Sequence, residues 1–276
     1  MARRTAVIAM LVGVTCVLTW AGDGGFHGRM LGIDLSNTDY VDYGYVRIAD
    51  DDALEPQTFT IEAWIHPMGP GFGFDPVFIG KPTEGNAGNY IFSWMMIWKA
   101  STGQIWSWLT NTFASSGVNF VSDGAVPIGS SAHVAMTFDG TWLRLFINGV
   151  EDPASPVDAG FSDVYYGDED VLIGAGNFAG SIVRRFDGII DEVRIWDHAR
   201  DGAEIAAQMD CALTGAEPGL LAYYSFNSSD AWDDSGQGHH GVIEGTADFV
   251  EFAQDCMVLF DDFESGDLTW WSAVFP

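Results

Sequence analysis

The sequence predicts an all-β protein, an antiparallel two-sheet sandwich that carries one short helix. Its composition, with 33 glycines, 14% aromatic residues and few long runs of helix-forming residues, is typical of strands joined by tight turns. Between residues 31 and 209, apolar and polar residues alternate in short runs separated by Gly, Asp, Asn and Pro, which is the spacing of a sandwich. At 276 residues, the chain can bury a sizeable core in one large domain, or in one domain with an appendage.

Period-two alternation places the predicted strands. Residues 58–66 put four apolar side chains on one face, and residues 132–138 do the same, which indicates strands with one face in the core. These side chains are Phe59, Ile61, Ala63 and Ile65, and Ala132, Val134, Met136 and Phe138. The run over residues 142–147 is followed by Asn148-Gly149, the strongest short hairpin signal in the chain.

One segment, residues 201–209, is predicted to be helical. Asp201 is a suitable N-cap, and Glu204 stands three residues later in the capping-box position. Residues 69–89 are instead rich in Gly and Pro, and we expect them to form a long loop across one face or rim of the sheet.

Four tryptophans follow this segment, Trp94, Trp98, Trp106 and Trp108. Their even numbering places them on one face wherever the strand register is unbroken. Two interpretations are open. In one, they fill the sheet or pack under the Gly-rich loop, as large aromatic side chains often do in cores. In the other, they form a platform on which sugar rings stack.

The N-terminus has the segment order of a secretory signal peptide. Two arginines precede an apolar run over residues 5–20 and small residues that end at Ala21, after which we expect cleavage. This interpretation gives a signal peptide over residues 1–21 and export of the bacterial type, to the medium, the cell surface or the periplasm. A retained signal anchor is the alternative, although the run is short for a span of about 20 apolar residues. Since no other stretch is long enough, we expect no stable membrane span after signal removal.

Signal removal leaves two of the three cysteines, Cys211 and Cys256. In an oxidising compartment, an even pair predicts one disulfide, which closes a loop of about 45 residues and contributes a few kcal/mol.

The acidic balance of the chain excludes one class of partner. There are 39 acidic and 11 basic residues, a net charge of −28. Phosphate contacts need clustered Lys and Arg, so no nucleic acid partner is expected. Two interpretations of the acidic residues stay open: a solvated surface that keeps an exported protein soluble, or a chain that binds divalent cations or works in salty surroundings.

Residues 186–196 form the most informative predicted strand. With unbroken alternation, Asp191 shares a face with Ile189, Val193 and Ile195, and Glu192 points to the opposite face. An unpaired buried carboxylate costs several kcal/mol or takes up a proton. We therefore expect Asp191 to lie at the wet end of its strand, to accept backbone N–H bonds, or to hold a cation.

Several of these segments occur together in the spacing of a known family. They are residues 45–50, Leu54, and residues 59–65, 133–140, 143–149, 173–174 and 186–205. Their order resembles the LamG-like jelly roll of the concanavalin A-like superfamily, which includes pentraxins and laminin G modules. The resemblance implies two antiparallel sheets in jelly-roll order over a domain of residues 22–210. Such domains are usually secreted, non-catalytic modules that bind glycans, proteins or calcium.

The C-terminal part resembles the same family again. Residues 211–260 look like the opening of a second such unit, through residues 219–226 and 234–241. Because there is no room for that unit to continue, we expect this extension to add edge strands to the first domain. Residues 261–276 are expected to form a terminal tail similar to a short segment on bacterial exported proteins.

The resemblance also bears on calcium. In glucanases of this fold, the Asp of the final sheet strand commonly joins backbone carbonyls around a structural Ca²⁺, and Asp191 occupies the similar position. Asp39 is the nearest match to the first-strand Asp of the family and is the second candidate ligand. Oxygen ligands suit Ca²⁺. The acidic two-calcium loop of pentraxins is not recognisable at residues 173–177.

No motif for catalysis is found. A retaining glucanase of this fold carries Glu-x-Asp-x-x-Glu, since two carboxyls must flank one glycosidic bond at about 5 Å, and that motif is absent. A Gly-x-Ser-x-Gly elbow is absent too. We interpret the acidic residues 168–170 as a solvated turn. His239 and His240 are also interpreted as a turn, because their spacing supplies no further metal ligands.

The sequence thus predicts a secreted, non-catalytic binding or adhesion module. Extracellular carbohydrate is the first expected ligand class, and a protein surface is the second. Two alternatives from other classes remain: a glycan-active hydrolase or lyase of the same fold, and a structural component of an envelope or extracellular matrix.

Overall fold

The computed structural model describes residues 29–33, 44–71, 74–83, 91–111, 117–178 and 180–251. Within them the chain forms eighteen strands, a 3-10 turn at Asp52–Leu54 and one helix, α1, at Gly202–Gln208. The strands are β1 (Arg29–Ile33), β2 (Tyr45–Ile48), β3 (Phe59–Pro67), β4 (Val77–Thr83), β5 (Ile91–Trp98), β6 (Gln104–Thr110), β7 (Gly117–Ala125), β8 (Ala132–Phe138), β9 (Trp142–Ile147), β10 (Val150–Glu151), β11 (Val157–Asp158), β12 (Val171–Ile173), β13 (Gly176–Phe178), β14 (Ser181–Val183), β15 (Gly188–Trp196), β16 (Leu220–Tyr224), β17 (Gly241–Glu244) and β18 (Asp248–Glu251).

Two large sheets make the sandwich. The first sheet has nine strands in the order β10-β9-β8-β3-β15-β1-β18, with β11 beside β9 and β16 beside β15. The second sheet has seven strands in the order β17-β2-β12-β4-β5-β6-β7, and β13 and β14 form a separate hairpin. Neighbouring strands are antiparallel in both large sheets. The predicted fold class, an all-β jelly-roll sandwich with one short helix, is confirmed.

The main core lies between the two sheets. All eight apolar residues that the alternation of β3 and β8 points inward are buried in it. These two strands pair in register from Phe59 opposite Phe138 to Ile65 opposite Ala132. Because each fully buried large apolar side chain contributes about 1.5–3 kcal/mol, this continuous core is the main stabilising feature of the fold.

The predicted hairpin and helix are both present, and they contact each other. Asn148 and Gly149 have φ angles of 51° and 74°, which a two-residue hairpin turn requires. A Cβ at Gly149 would lie 2.7 Å from the Cβ of Ala206, so glycine also lets α1 approach this turn. The Asp201 side chain accepts a hydrogen bond from the Glu204 N–H, and the Glu204 carboxylate accepts one from the Asp201 N–H.

The prediction of a continuous loop over residues 69–89 is wrong. Strand β4 lies inside this segment and occupies the middle of the second sheet, between β12 and β5. Its pairing with β5 shifts register between Val77 and Ile79 and again between Lys81 and Pro82. Proline lacks an N–H and register shifts break the period of two, so the sequence pattern hides this strand.

The described part of the C-terminal extension belongs to the same sandwich. Strand β16 pairs with β15 and β18 pairs with β1 in the first sheet, while β17 pairs with β2 at the edge of the second. Residues 252–276, which include the expected tail, lie outside the described residues. Within the described chain, no helix has the length and apolar character that a membrane crossing requires.

Candidate functional site

The four tryptophans lie on two faces of the second sheet, not one. Trp94 and Trp98, on β5, point into the main core and are each 1% exposed. Trp106 and Trp108, on β6, are half-buried on the opposite side, called here the outer face of the second sheet. The turn between the two strands inverts the parity, because Trp98 pairs with the core residue Ile105. The single-face prediction is therefore wrong, and a ligand can reach the second pair alone.

The outer face of the second sheet is apolar and aromatic. The centroids of the Trp106 and Trp108 rings are 5.2 Å apart, and the ring planes are tilted by 57°. Beneath them lies a cluster of buried side chains from β4 and β5, namely Val77, Phe92, Met95 and Ile97. A partly exposed aromatic pair on an apolar floor suits a flat ligand with one apolar face.

The two indole N–H groups of this face differ. Trp106 Nε1 donates a hydrogen bond to Asn119 Oδ1 on β7, at 3.1 Å. Trp108 Nε1 is buried, and no residue in the described part of the chain accepts a hydrogen bond from it. A buried donor without an acceptor costs about 1–3 kcal/mol.

Charged side chains lie at one end of the outer face. Lys99 Nζ is 5.4 Å from the centroid of the Trp106 ring and 3.6 Å from Asp75 Oδ2. Asp75 Oδ1 also accepts the Ala100 N–H at 3.1 Å, and the Arg184 guanidinium donates to the Asp75 carbonyl oxygen at 3.1 Å. No motif in the sequence predicts a role for these residues, although Lys99 is one of only two lysines in the chain and directly follows Trp98.

Asp191 lies on the outer face of the first sheet, because β15 contains a β-bulge. Glu192 has a φ of 51°, and the pairing of β15 with β3 slips between Asp191 and Arg194. The extra residue inverts the alternation, so Val193 faces the core while Asp191 lies opposite Trp64 on the other side. The prediction that Asp191 shares a face with Val193 is therefore wrong.

The outer face of the first sheet carries a buried network of charges that was not predicted from the sequence. Arg194 donates to Glu192 at 2.6 Å and lies 3.6 Å from Glu62. Arg200 donates to Glu62 at 2.8 Å, and the Tyr223 hydroxyl donates to Glu192 at 2.8 Å. All five side chains are buried. Glu192 therefore lies on the same side of the sheet as Asp191, and not on the opposite face as predicted.

Helix α1 and the residues after it cover this network. Arg194 donates to the carbonyl oxygens of Gln208 and Cys211, at 3.1 and 2.6 Å. The Trp64 indole N–H donates to the carbonyl oxygen of Met209 at 2.8 Å. These hydrogen bonds hold α1 and the residues after it, called here the cover, against the first sheet. On this face, Trp64 follows Glu62 along β3 and Trp196 follows Arg194 along β15. Such a mixture of charged residues and tryptophan was the signal for a covered face.

Burial sets the protonation of the network. The pKa of His133 is lowered from 6.5 to about 4, mainly by burial and also by Arg194 and Arg200, while Glu62 acts to raise it. His133 Nε2 lies 3.7 Å from Glu62 Oε2. Burial acts to raise the pKa of Glu62, but its positive neighbours and the Trp196 N–H hold that pKa below its ordinary value. At neutral pH, His133 is therefore uncharged and Glu62 is ionised.

The metal and disulfide predictions involve residues that the structure does not describe. Asp191 is fully buried, while Asp39, the second candidate calcium ligand, lies outside the described residues. Among the side chains that are described, no three from His, Cys, Asp and Glu are grouped to hold a metal ion. Cys211 is buried, and Cys256 lies outside the described residues. Calcium and the disulfide both stay predictions, as does the signal peptide over residues 1–21.

The acidic and histidine turns are built from internal contacts. The Asp233 carboxylate accepts the backbone N–H of His239 at 2.9 Å, and His240 Nδ1 accepts that of Asp233 at 3.1 Å. In the acidic turn over residues 168–170, Asp170 accepts a hydrogen bond from Arg47 at 3.1 Å.

The comparisons with known proteins agree with this architecture. A family model described as the concanavalin A-like lectin/glucanases superfamily matches residues 40–206. A candidate carbohydrate-binding protein from Bacteroides ovatus ATCC 8483 has a similar structure, with a TM-score of 0.63 and 17% identity over 82% of this chain. The chain spans 60% of the length of that protein.

A second solved structure is similar at the level of the fold. The native heptameric SAP-like pentraxin from Limulus polyphemus matches with a TM-score of 0.50 and 15% identity, over 80% of this chain and 97% of the pentraxin. No curated protein sequence matches the chain. Because the family model covers more than half of the sequence and the two sheets form the expected sandwich, the chain belongs to the concanavalin A-like lectin/glucanases superfamily.

Proposed function

We propose that the protein is an exported, non-catalytic module that binds carbohydrate on the outer face of the second sheet. The observation that carries this proposal is the half-buried pair Trp106 and Trp108 above an apolar floor. Sugar rings have apolar faces that stack on indoles and hydroxyls that accept hydrogen bonds. The fold shared with a candidate carbohydrate-binding protein supports the same ligand class.

Three carboxylates near the two outer faces are not placed for glycoside hydrolysis, which supports a non-catalytic role. Glycoside hydrolysis needs two carboxyl groups that flank the bond. Glu62 and Glu192 are buried against arginines beneath α1, where a glycan has no access. At the outer face of the second sheet, Asp75 is held by Lys99 and the Ala100 N–H.

A calcium ion at Asp191 would be structural under this proposal. Asp191 lies on the outer face of the first sheet, whereas Trp106 and Trp108 lie on the outer face of the second. The whole core separates the two faces. Calcium at Asp191 would therefore stabilise the fold without touching the glycan.

The test is a binding screen with tryptophan variants. Wild type, Trp106→Ala and Trp108→Ala are compared on soluble polysaccharides by affinity electrophoresis and calorimetry, and released reducing ends are measured in parallel. We expect each substitution to weaken binding at least about tenfold, since each removes contacts worth ~1.4 kcal/mol or more. The matched control is Trp232→Ala, which removes a 55% exposed tryptophan from a turn elsewhere.

Each result has a defined meaning. Equal loss in Trp232→Ala and Trp106→Ala would show that the binding does not use this face. Reducing ends released by wild type would replace the proposal with the hydrolase alternative. The melting temperatures of all variants are recorded, so that loss of folding is not mistaken for loss of contacts.

A further inference from the structure

We infer that the carbohydrate recognised on the outer face of the second sheet is acidic, with carboxylate or sulfate groups on its sugar rings. This inference rests on the proposed function, because it names the ligand class of the same site. It follows from the position of the positive charges in a strongly acidic protein.

Most of the described basic side chains form ion pairs within the protein. The chain has 11 basic residues against 39 acidic ones, so the place of each positive charge is informative. Lys81, Arg194 and Arg200 are buried beside carboxylates. Arg47 and Arg144 each lie within 3.6 Å of two carboxylates. These five residues stabilise the protein through internal ion pairs.

Lys99 and Arg184 both lie beside Asp75 at one end of the outer face, and each also adjoins an aromatic ring. Lys99 Nζ lies 5.4 Å from the Trp106 centroid, and Arg184 Cζ lies 5.3 Å from the centroid of Phe74, whose side chain is 71% exposed. Asp75 contacts both cations. Its contact with Lys99 is 3.6 Å long, and the two side chains are 26% and 27% exposed. Water, and therefore a ligand, can reach the Lys99 side chain.

The backbone at Arg184 supports a positioned cation. Its φ of 53° is in the left-handed region, where a non-glycine residue costs about 1 kcal/mol. The Arg184 carbonyl oxygen accepts the Val77 N–H at 2.8 Å, so this conformation ties the residue to β4. Glycine would relieve the strain, but it would remove the guanidinium from beside Phe74 and Asp75.

This arrangement fits a sugar that bears an anionic group. A ring stacked on Trp106 would place its substituents within reach of Lys99, where a carboxylate or sulfate gains a charge-assisted hydrogen bond. The net charge of −28 repels polyanions at long range. At 0.15 M salt the Debye length is about 8 Å, so distant acidic residues are screened while contacts at this end persist. Selectivity for an acidic glycan would thus come from Lys99 and Arg184 themselves.

The experiment compares acidic and neutral polysaccharides at 0.15 M NaCl by calorimetry. The acidic probes are polygalacturonate, alginate, hyaluronate and chondroitin sulfate; the neutral ones are methyl-esterified polygalacturonate, laminarin, xyloglucan and galactomannan. We expect the tightest ligand to be acidic. We expect Lys99→Gln and Arg184→Gln each to weaken its binding about tenfold, and the surface control Arg144→Gln to leave it unchanged within twofold.

The outcomes separate the inference from the proposed function. A tightest ligand that is neutral, and whose binding is lost in Trp106→Ala, overturns the inference and leaves the proposed function standing. Acidic-ligand binding that Lys99→Gln and Arg184→Gln do not change, or that Arg144→Gln weakens equally, also overturns the inference. If no probe binds in a way that depends on Trp106, both the proposed function and the inference fail.

Discussion

The two sheets share one core, but their outer faces are built in opposite ways. On the first sheet the outer face is charged, and α1 with the residues after it covers the charges. On the second sheet the outer face is apolar, and the tryptophans that lie on it are only half-buried. Charge is thus inside and aromatic surface is outside, the reverse of the usual distribution. The covered face maintains the fold, and the open face is available for a ligand.

The buried charges of the covered face require a full set of internal partners. Moving a charge out of water costs several kcal/mol, which only close pairing and full hydrogen bonding offset. Glu62 has this pairing through Arg194 and Arg200, and Glu192 through Arg194 and Tyr223. Among the described residues of the open face no comparable internal network is seen, so substitutions there should affect binding more than folding.

The largest effect should come from Arg194→Leu. This change leaves Glu62 with one arginine and Glu192 with no cation, while both remain buried beneath α1. Breaking a buried pair by removing one partner costs about 3–5 kcal/mol. Urea unfolding followed by tryptophan fluorescence should show a loss of this size or a chain that does not fold.

The control for this prediction is Arg144→Leu. Arg144 pairs with Asp139 and Glu151 at partly exposed positions, and such pairs contribute about 0–1 kcal/mol. If the two substitutions lower the free energy of unfolding equally, burial of the network adds nothing to stability. The covered face then contributes no more to folding than an exposed ion pair does.

The second effect is a dependence of stability on pH that the covered face imposes. Burial lowers the pKa of His133 from 6.5 to about 4. Between these values, the unfolded chain binds a proton that the folded protein does not. The contribution of His133 to the free energy of unfolding is therefore complete above pH 6.5 and is lost as the pH falls to 4. A shift of this size corresponds to about 3 kcal/mol.

The variant His133→Phe isolates this contribution. Phenylalanine keeps a ring against Trp64, which the His133 ring meets edge-on at 5.6 Å, but it cannot bind a proton. Free energies of unfolding measured from pH 4 to pH 7 should therefore change less in the variant than in wild type. Equal slopes for the two proteins would show that His133 binds protons equally in the folded and unfolded states, so that folding does not lower its pKa.

The comparison also shows what the sequence can and cannot predict. Unbroken alternation placed the inward residues of β3 and β8, and the capping box placed α1, because both signals are local. Alternation failed at Glu192 and across the turn between Trp98 and Gln104, since one extra residue or one turn inverts every later side chain. Both candidate sites depend on such an inversion. Apolar and polar alternation alone does not show which face α1 covers; the mixture of charged residues and tryptophan on β3 and β15 was the signal for that face.

The third effect would show whether the covered face also includes a cation. If Ca²⁺ binds the folded state at Asp191, saturation at a hundredfold excess over Kd adds about 2.7 kcal/mol to the free energy of unfolding. The melting temperature of wild type should then rise in Ca²⁺ and fall back in EDTA. Asp191→Asn should remove most of the shift, whereas Asp168→Asn, in the exposed acidic turn, should retain it. Identical melting of wild type in Ca²⁺ and EDTA would end the calcium prediction.

The smallest effect tests how firmly α1 holds the cover in place. In Asp201→Ala the helix loses the side chain that accepts the N–H groups of Ala203 and Glu204, each at 2.9 Å. Loss of an N-cap costs about 1 kcal/mol. Because Arg194 and Arg200 still hold residues 208–211 from below, the loss should stay within the first turn of the helix. Hydrogen exchange should then accelerate at Ala203 and Glu204 and remain slow along β15. Equal acceleration at β15 would mean that the cap, and not the buried network, keeps the first face covered.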